Sequence, residues 1–201
     1  MFHVEQIERL SLLSSEFGFP LDTGQLESLG RYRDWLETEA FAAGGIGPNE
    51  VPHLMERHIA DALTWLQPLD RAPSTMLDIG SGVGLPGIPL AIALPETAVT
   101  LLDRSGRRCG LLRRAIRMLD LQNATVDERD VAEAITQVEV VVSRASLPPA
   151  QLRPHLERLA GRLAIVGGSS AGPREVPGYS TAKIESRYLD SPRWVLIMRQ
   201  S

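Results

Sequence analysis

A glycine-rich segment, LDIGSGVGLPGIPL at residues 77–90, limits the folds that this chain can adopt. It continues a short apolar run and contains four glycines, with Asp78 two residues before the first of them. A strand that ends in such a turn leaves bare backbone against which a cofactor can lie. We therefore expect this turn to bind a ligand at the edge of an α/β sheet.

The residues after this turn alternate between strand and helix patterns. Strands are predicted for TMLDI, AVTLLD, ATVDERD, VEVVVS and GRLAIVGG, and helices for residues 89–94, 106–119 and 147–159. The closing segments TAKIESRYL and SPRWVLIMRQ alternate like two antiparallel strands. Strands that alternate with helices form a mostly parallel sheet covered on both faces. The sequence therefore predicts a doubly wound, Rossmann-like α/β domain.

Apolar residues at helical spacing dominate the first part of the chain. Helices are predicted over residues 3–17, 23–39 and 51–67, and Thr23 is expected to cap the second of them. Pro68 and the Asp-Arg-Ala-Pro-Ser run after it indicate a linker. We expect residues 1–70 to form a helical extension and residues 71–201 to form the ligand-binding domain.

Composition and charge restrict the class of protein. The chain has 201 residues, an apolar fraction of 43% and a net charge of −4, which argues against a general nucleic-acid coat. A signal sequence is not recognisable, and the most apolar run is too short to cross a bilayer. The single cysteine, Cys109, excludes an intramolecular disulfide and a multi-cysteine zinc site. We expect a cytoplasmic protein without a metal or a membrane partner; the sequence leaves the oligomeric state open and favours a monomer.

Charge is distributed unevenly along the chain. Residues 1–70 carry 12 acidic and 4 basic side chains, whereas residues 71–201 carry 13 acidic and 17 basic ones. Six arginines fall between residues 104 and 117. This basic helix could hold RNA phosphates, or it could be a solvated helix face.

Two cofactors fit the glycine pattern. The run Gly82–Gly87 matches the dinucleotide motif G-x-G-x-x-G, which is weak evidence alone, and Pro86 removes an amide that a pyrophosphate needs at a helix start. Taken from Asp78, the segment reads D-x-G-x-G-x-G and suits S-adenosylmethionine, because the carboxylate would face that cofactor's ammonium group. Asp103, at the end of the second strand, is placed to bind the ribose hydroxyls in either case. A tight turn without a ligand is the third interpretation.

Several motifs together point to one family. GLPGIPLAI at residues 84–92 is followed by Asp103 and by Arg107-Arg108, and SRA stands at residues 143–145. RHIADAL and the closing Arg193-x-Val-Leu-Ile extend the match towards both ends. Over most of its length the chain resembles the bacterial small-subunit rRNA guanine-N7 methyltransferases, also called glucose-inhibited division protein B.

The resemblance implies a class I methyltransferase fold, S-adenosylmethionine as cofactor, and 16S rRNA or the 30S subunit as partner. Arg144, at the end of the fourth strand, is the expected catalytic residue and would hold the cofactor or the target base. Motif and resemblance together give as cofactor-binding residues Asp78, Gly80, Gly82, Gly84, Leu85, Asp103, the backbone of Val131 and Ala132 beside the adenine, and Arg144. The expected substrate-binding residues are Arg57, His58, Arg107, Arg108 and Arg193.

The chain departs from the family pattern at three places, one segment and two single residues, all on the acceptor side. The chain has Phe41-Ala42-Ala43 where the pattern has Asn-Leu-Thr, Asp130 where it has an arginine, and Val166 where it has a lysine. The loss of two cations would weaken contacts to RNA.

Three functions are therefore open. The chain is a divergent guanine-N7 rRNA methyltransferase, a methyltransferase for a small-molecule acceptor, or a non-catalytic S-adenosylmethionine-binding protein. A basic groove from Arg108 past Arg144 to Arg193 would favour RNA. A closed apolar pocket would favour a small acceptor, and an open cleft without an acceptor cavity would favour the third function.

Overall fold

A single seven-stranded sheet organises the molecule. The computed structural model describes residues 4–169, 172 and 175–200. Its strands are β1 (Thr75–Ile79), β2 (Ala98–Asp103), β3 (Ala124–Glu128), β4 (Val138–Ser143), β5 (Ala160–Ser169), β6 (Ser180–Ile184) and β7 (Arg193–Arg199). They lie in the order β3-β2-β1-β4-β5-β7-β6. Strands β1 to β5 are parallel, whereas β7 is antiparallel to both β5 and β6. The predicted Rossmann-like α/β fold and the closing antiparallel pair are thus confirmed.

Helices cover the sheet and form the first part of the chain. They are α1 (Val4–Glu16), α2 (Thr23–Trp35), α3 (Asp61–Leu63), α4 (Gly87–Ala93), α5 (Gly106–Leu119) and α6 (Pro149–Leu159). The residue that caps α2 is Asp22 and not Thr23, which is a correction to the expectation. Asp22 Oδ1 accepts a hydrogen bond from the amide of Gln25, and the Gln25 side chain accepts one from the amide of Asp22, both at 2.8 Å. This reciprocal pair satisfies two amides that the helix start would leave free.

The third predicted helix is irregular. Residues 51–66 form a 3-10 turn (Val51–His53), a π-helical stretch (Leu54–Ala60), α3, and a second 3-10 turn (Thr64–Leu66). π-Helical turns occur frequently at functional sites. The predicted substrate-binding residues Arg57 and His58 lie on this one.

One hydrophobic core joins the N-terminal helices to the sheet. Tyr32 and Trp65 are fully buried in the same cluster as Leu101 of β2 and Ile165 of β5. The boundary near residue 70 stays a prediction, because the apolar packing is continuous across it.

Parallel strands bring their carboxyl ends to one edge of the sheet. Ile79, Asp103 and Ser143 end β1, β2 and β4 at that edge, where α/β sheets bind their ligands. Among the described residues, no helix is long and apolar enough to cross a membrane.

Candidate functional site

A cleft of about 380 Å³ opens beyond the carboxyl ends of β1 and β2. It brings together four residues that the sequence predicted to be near a ligand: Gly80, Asp103, Arg108 and Val131. The volume lies within the range of about 300–1,000 Å³ that small-molecule sites occupy. The cleft is therefore the candidate cofactor site.

The glycine turn has backbone conformations that other residues adopt with strain. Gly80, Gly82 and Gly84 have φ angles of +72°, +63° and +103°. A methyl group on Gly80 would come 2.3 Å from Ser146 Cβ, and one on Gly84 would come 2.4 Å from Ile88 Cδ1. Glycine is needed here both for the turn and for close approach.

The backbone amides of this turn are already used inside the protein. The amide of Gly82 donates to Asp103 Oδ2 at 3.0 Å, and that of Gly87 donates to Asp78 Oδ2 at 3.1 Å. Those of Gly84, Leu85 and Ile88 donate to carbonyl groups within the turn. A pyrophosphate binds to free amides at a helix start. The arrangement therefore does not support a dinucleotide.

Asp78 is fully buried below the turn. Its Oδ2 accepts from Gly87, whereas Oδ1 is buried without a hydrogen-bond partner among the described residues. Burial raises the pKa of Asp78 to about 7. An unpaired buried carboxylate oxygen is costly and calls for a partner. A cationic ammonium group such as that of S-adenosylmethionine is a partner of the kind that this oxygen lacks, although Asp78 itself does not line the cleft. The buried Leu85 and Gly84 support the turn rather than line the cleft.

Asp103 lines the cleft, and each of its carboxylate oxygens accepts a hydrogen bond from a backbone amide. Oδ2 accepts from Gly82 at 3.0 Å and Oδ1 from Ser105 at 2.9 Å. Arg108 Nη1 lies 3.6 Å from Oδ2. Each carboxylate oxygen has a second lone pair. Asp103 is thus fixed in place and can still accept from ribose hydroxyls.

An acidic residue, Asp130, lies next to the backbone that is predicted to contact the adenine. Val131 lines the cleft, and the amide of Ala132 donates to Asp130 Oδ1 at 3.0 Å. Arg158 donates to the carbonyl oxygen of Val131 at 3.0 Å. Asp130, which replaces the family's arginine, therefore fixes the backbone next to the cleft.

Arg144 is held by a buried carboxylate from the N-terminal part of the chain. Its Nη1 lies 3.1 Å from Asp61 Oδ2, and Asp61 Oδ1 accepts from Arg193 Nε at 2.7 Å. The sequence analysis placed both arginines in the site but gave Asp61 no role. Asp61 neutralises part of their charge, and Arg193 is itself buried.

His58 extends this group towards the surface. Its Nδ1 lies 3.4 Å from Arg144 Nη2 and its Nε2 lies 3.1 Å from Glu50 Oε2. Burial lowers the pKa of His58, and the Arg144 charge lowers it further. Arg57 Nη1 is 3.7 Å from Glu50 Oε1, and its side chain is 56% exposed. The structure thus brings His58 to Arg144 and leaves Arg57 at the surface.

The arginines of α5, and Arg104 two residues before it, are mostly paired with carboxylates. Arg104 pairs with Asp130, Arg108 with Asp103, Arg113 with Glu128 and Arg114 with Glu39. Arg107 donates to the carbonyl oxygen of Ala43 in the loop that departs from the family pattern. The structure does not form an exposed basic groove from Arg108 through Arg144 to Arg193, because the last two both pair with the buried Asp61.

Several residues of the cleft wall were not predicted to line the cofactor site. These are Arg129, Ser146, Leu147 and His155, and also Arg104, which was expected only as one of the arginines that could hold RNA phosphates. Arg104 directly follows the end of β2, and Ser146 and Leu147 directly follow the SRA motif, so proximity to strand ends could have identified them. Among the residues that the structure describes, His, Cys, Asp and Glu form no group of three or more that could hold a metal ion.

Comparison with known sequences gives a consistent family. The family described as "GidB: rRNA small subunit methyltransferase G" matches residues 25–163. A relative of Corynebacterium diphtheriae named "Ribosomal RNA small subunit methyltransferase G" is 37% identical over 177 residues, covering 84% of this chain and 77% of the relative. The protein of that name from Mycobacterium marinum is 39% identical, covering 71% of this chain and 66% of its own length.

Solved structures agree on the fold. Magnesium protoporphyrin IX methyltransferase from Synechocystis PCC 6803, solved with bound SAM, aligns with a TM-score of 0.56 and 19% identity, covering 87% of this chain and 97% of its own. Precorrin-6y C5,15-methyltransferase from Geobacter metallireducens GS-15 aligns with a TM-score of 0.54 and 14% identity, covering 70% and 87%. At this identity the likeness shows a class I methyltransferase fold alone.

Proposed function

Because this chain belongs to the GidB family, whose description is rRNA small subunit methyltransferase G, we propose that it methylates N7 of a guanine in 16S rRNA with S-adenosylmethionine. The observation that carries the proposal is the cleft lined by Gly80 and Asp103, with the buried, partly unpaired Asp78 two residues before Gly80 in the chain. Because ribosomal RNA is the proposed substrate, we predict that the protein acts in the cytoplasm.

Each end of the cofactor has a residue to hold it in this proposal. Asp103 accepts from the ribose hydroxyls, and the backbone at Val131 and Ala132 lies beside the adenine. Asp78 meets the ammonium group, and the bare backbone of Gly80 allows close approach. In this arrangement the ribose of the cofactor lies near the end of β2 and its amino-acid group lies near the end of β1.

The chemistry makes few demands on the protein. When bound, S-adenosylmethionine supplies a methyl group on a positively charged sulfur. N7 of guanine has an in-plane lone pair and no proton, so the chain does not need a general base. Its residues have to hold donor and acceptor in line and keep water out. Arg144 suits the acceptor side because Asp61 fixes its guanidinium group at 3.1 Å.

Cations for RNA are present at the rim of the cleft. The side chains of Arg104 and Arg108 are 81% and 60% exposed, and that of Arg129 is 43% exposed. All three line the cleft. Asp130 and Asp127, the partners of Arg104 and Arg129, are partly exposed, where such pairs contribute little, so phosphates can compete for these two arginines. Arg108 pairs instead with the buried Asp103.

A second candidate, a small-molecule acceptor, is favoured by one observation. Asp61 pairs with both Arg144 and Arg193 and offsets part of their charge, which interrupts the continuous basic groove that was expected for RNA. The family membership weighs more than this, because the exposed arginines at the rim are in place.

Methyl transfer from labelled S-adenosylmethionine to purified 30S subunits tests the proposal. The subunits should come from a host that lacks its own enzyme of this family, and digestion to nucleosides should identify the product. We expect label in 7-methylguanosine at a single position. Label in another nucleoside, or none in rRNA from an enzyme that binds the cofactor, would contradict the proposal and leave a small acceptor or a binding protein.

A further inference from the structure

A second cavity, of about 410 Å³, adjoins the turn that follows β4. Ala145, Ser146 and Leu147 line both this cavity and the cofactor cleft. The two cavities are therefore neighbours that meet at this turn.

The shared turn has a fixed and strained conformation. Ala145 has a φ of +54°, in the left-handed region that residues with a side chain rarely adopt. Ser143 Oγ donates to the carbonyl oxygen of Ile79 at 2.9 Å and lies 2.6 Å from Ser146 Oγ. Strain that the surroundings hold in place is found mainly at functional sites. The turn thus gives the two neighbouring cavities a defined common edge.

The lining of the second cavity suits a flat aromatic ring. Leu147, Pro148, Val166 and Leu196 provide apolar surface, Arg144 provides a charged residue, and Trp194 provides an indole. Lys183 Nζ lies 5.6 Å from the centre of that indole. Indole rings stack on bases of any sequence, and enzymes that modify a base take it out of its stack into a pocket.

We propose that this cavity receives the unstacked target purine of the RNA and that Trp194 stacks on it. The inference rests on the proposed function and adds the position of the acceptor and the residue that holds it. Trp194 and Leu196 on β7 and Val166 on β5 belong to one face of the sheet, so the base would lie over that face beside the β4 turn. Val166, which replaces a lysine of the family pattern, then serves as an apolar contact of the base.

Replacement of Trp194 tests the pocket. Trp194→Ala should lower kcat/KM for 30S subunits by roughly 5- to 150-fold, which is the range found for loss of one base-stacking contact. Trp194→Phe keeps a ring and should retain most of the activity. The dissociation constant of S-adenosylhomocysteine, measured by calorimetry, should be unchanged in both variants because Trp194 lies outside the cofactor cleft.

Tyr188→Ala is the matched control. It removes an aromatic side chain between β6 and β7 that does not line either cavity, and its activity should equal that of the wild type. Equal kcat/KM for Trp194→Ala and the wild type would overturn the pocket while leaving the proposed function intact. Failure of the wild type to methylate 30S subunits would instead overturn the proposed function. A loss in Trp194→Ala that Trp194→Phe does not restore would also count against stacking.

Discussion

Asp61 Oδ2 lies 3.1 Å from Arg144 Nη1, inside the molecule and 83 residues away in sequence. The other oxygen of the same carboxylate accepts from Arg193 Nε at 2.7 Å. One buried anion therefore connects the N-terminal helices, the turn after β4 and the start of β7. This contact joins the helical part to the predicted site residues Arg144 and Arg193.

Replacement of Asp61 should damage both stability and activity. Asp61→Asn leaves two cations close together without a carboxylate, and breaking a buried ion pair costs about 3–5 kcal/mol. Denaturant unfolding should show this loss, and methyl transfer should fall at temperatures where the variant is still folded. Asp34→Asn is the control, since Asp34 pairs with Arg33 at the surface. If Asp61→Asn were as stable as Asp34→Asn, the ion pairs of Asp61 would not be what holds these segments of the chain together.

Asp103 should determine the affinity for the cofactor. Asp103→Asn removes a charged acceptor, and hydrogen bonds to charged groups contribute about 1.5–3 kcal/mol, so binding should weaken by roughly 10- to 100-fold. Calorimetry with S-adenosylhomocysteine measures it. Asp190→Asn, at an exposed pair with Arg9, should bind as the wild type does. Unchanged affinity in Asp103→Asn would argue against the ribose role.

Cofactor affinity should depend on pH through Asp78. Burial raises the pKa of Asp78 to about 7, so in the free protein this carboxyl holds a proton below pH 7. The ammonium group of the cofactor favours the ionised form, and binding therefore releases a proton. Affinity should rise by about tenfold per pH unit up to about pH 7 and level off above it.

Asp78→Asn is the variant that isolates this effect. It should bind S-adenosylhomocysteine more weakly at pH 8 and without the rise between pH 6 and 7. A pH dependence that survives in the variant would assign the titration to another group. In the free wild type the folded state binds the extra proton between about pH 4 and 7. Its free energy of unfolding should therefore fall as pH rises through that interval.

Replacement of two glycines by alanine should change the stability of the protein in opposite directions. A methyl group on Gly87 would come 2.3 Å from Leu101 Cδ2 and 2.6 Å from Asp78 Oδ2, and overpacking of this kind costs about 1–3 kcal/mol. Gly110 in α5 has no neighbour within 4 Å of the added group. Gly110→Ala should therefore stabilise the protein by about 0.5–1 kcal/mol. Thermal unfolding of both variants checks this, and equal effects would contradict the packing at Gly87.

The sheet was predicted well from the sequence, because it depends on local patterns, whereas the residues of the cofactor side stay a prediction. The run TMLDI and the glycines after it specify a strand and a turn, and Asp78 and Asp103 stand at strand ends whose positions follow from the fold. Asp61 could not be assigned a role in this way. It lies on an irregular helix, and its partners Arg144 and Arg193 come near it only through tertiary packing.

The acceptor side was predicted less well for a related reason. A basic groove was expected because Arg108, Arg144 and Arg193 were taken to face solvent. In the structure, Arg144 and Arg193 instead pair with the buried carboxylate of Asp61. The sequence does show charge, but the burial of a charge depends on which distant segments pack against it. Trp194 likewise has a neighbouring cavity only because β5, β6 and β7 lie side by side.

A crystal structure of the protein with S-adenosylhomocysteine tests the central claim most directly. We expect the ligand in the cleft beyond β1 and β2, with its ribose hydroxyls on Asp103, its ammonium group towards Asp78 and its adenine beside Val131. A ligand bound elsewhere, or a cleft that takes up a nicotinamide dinucleotide and not S-adenosylhomocysteine, would contradict it.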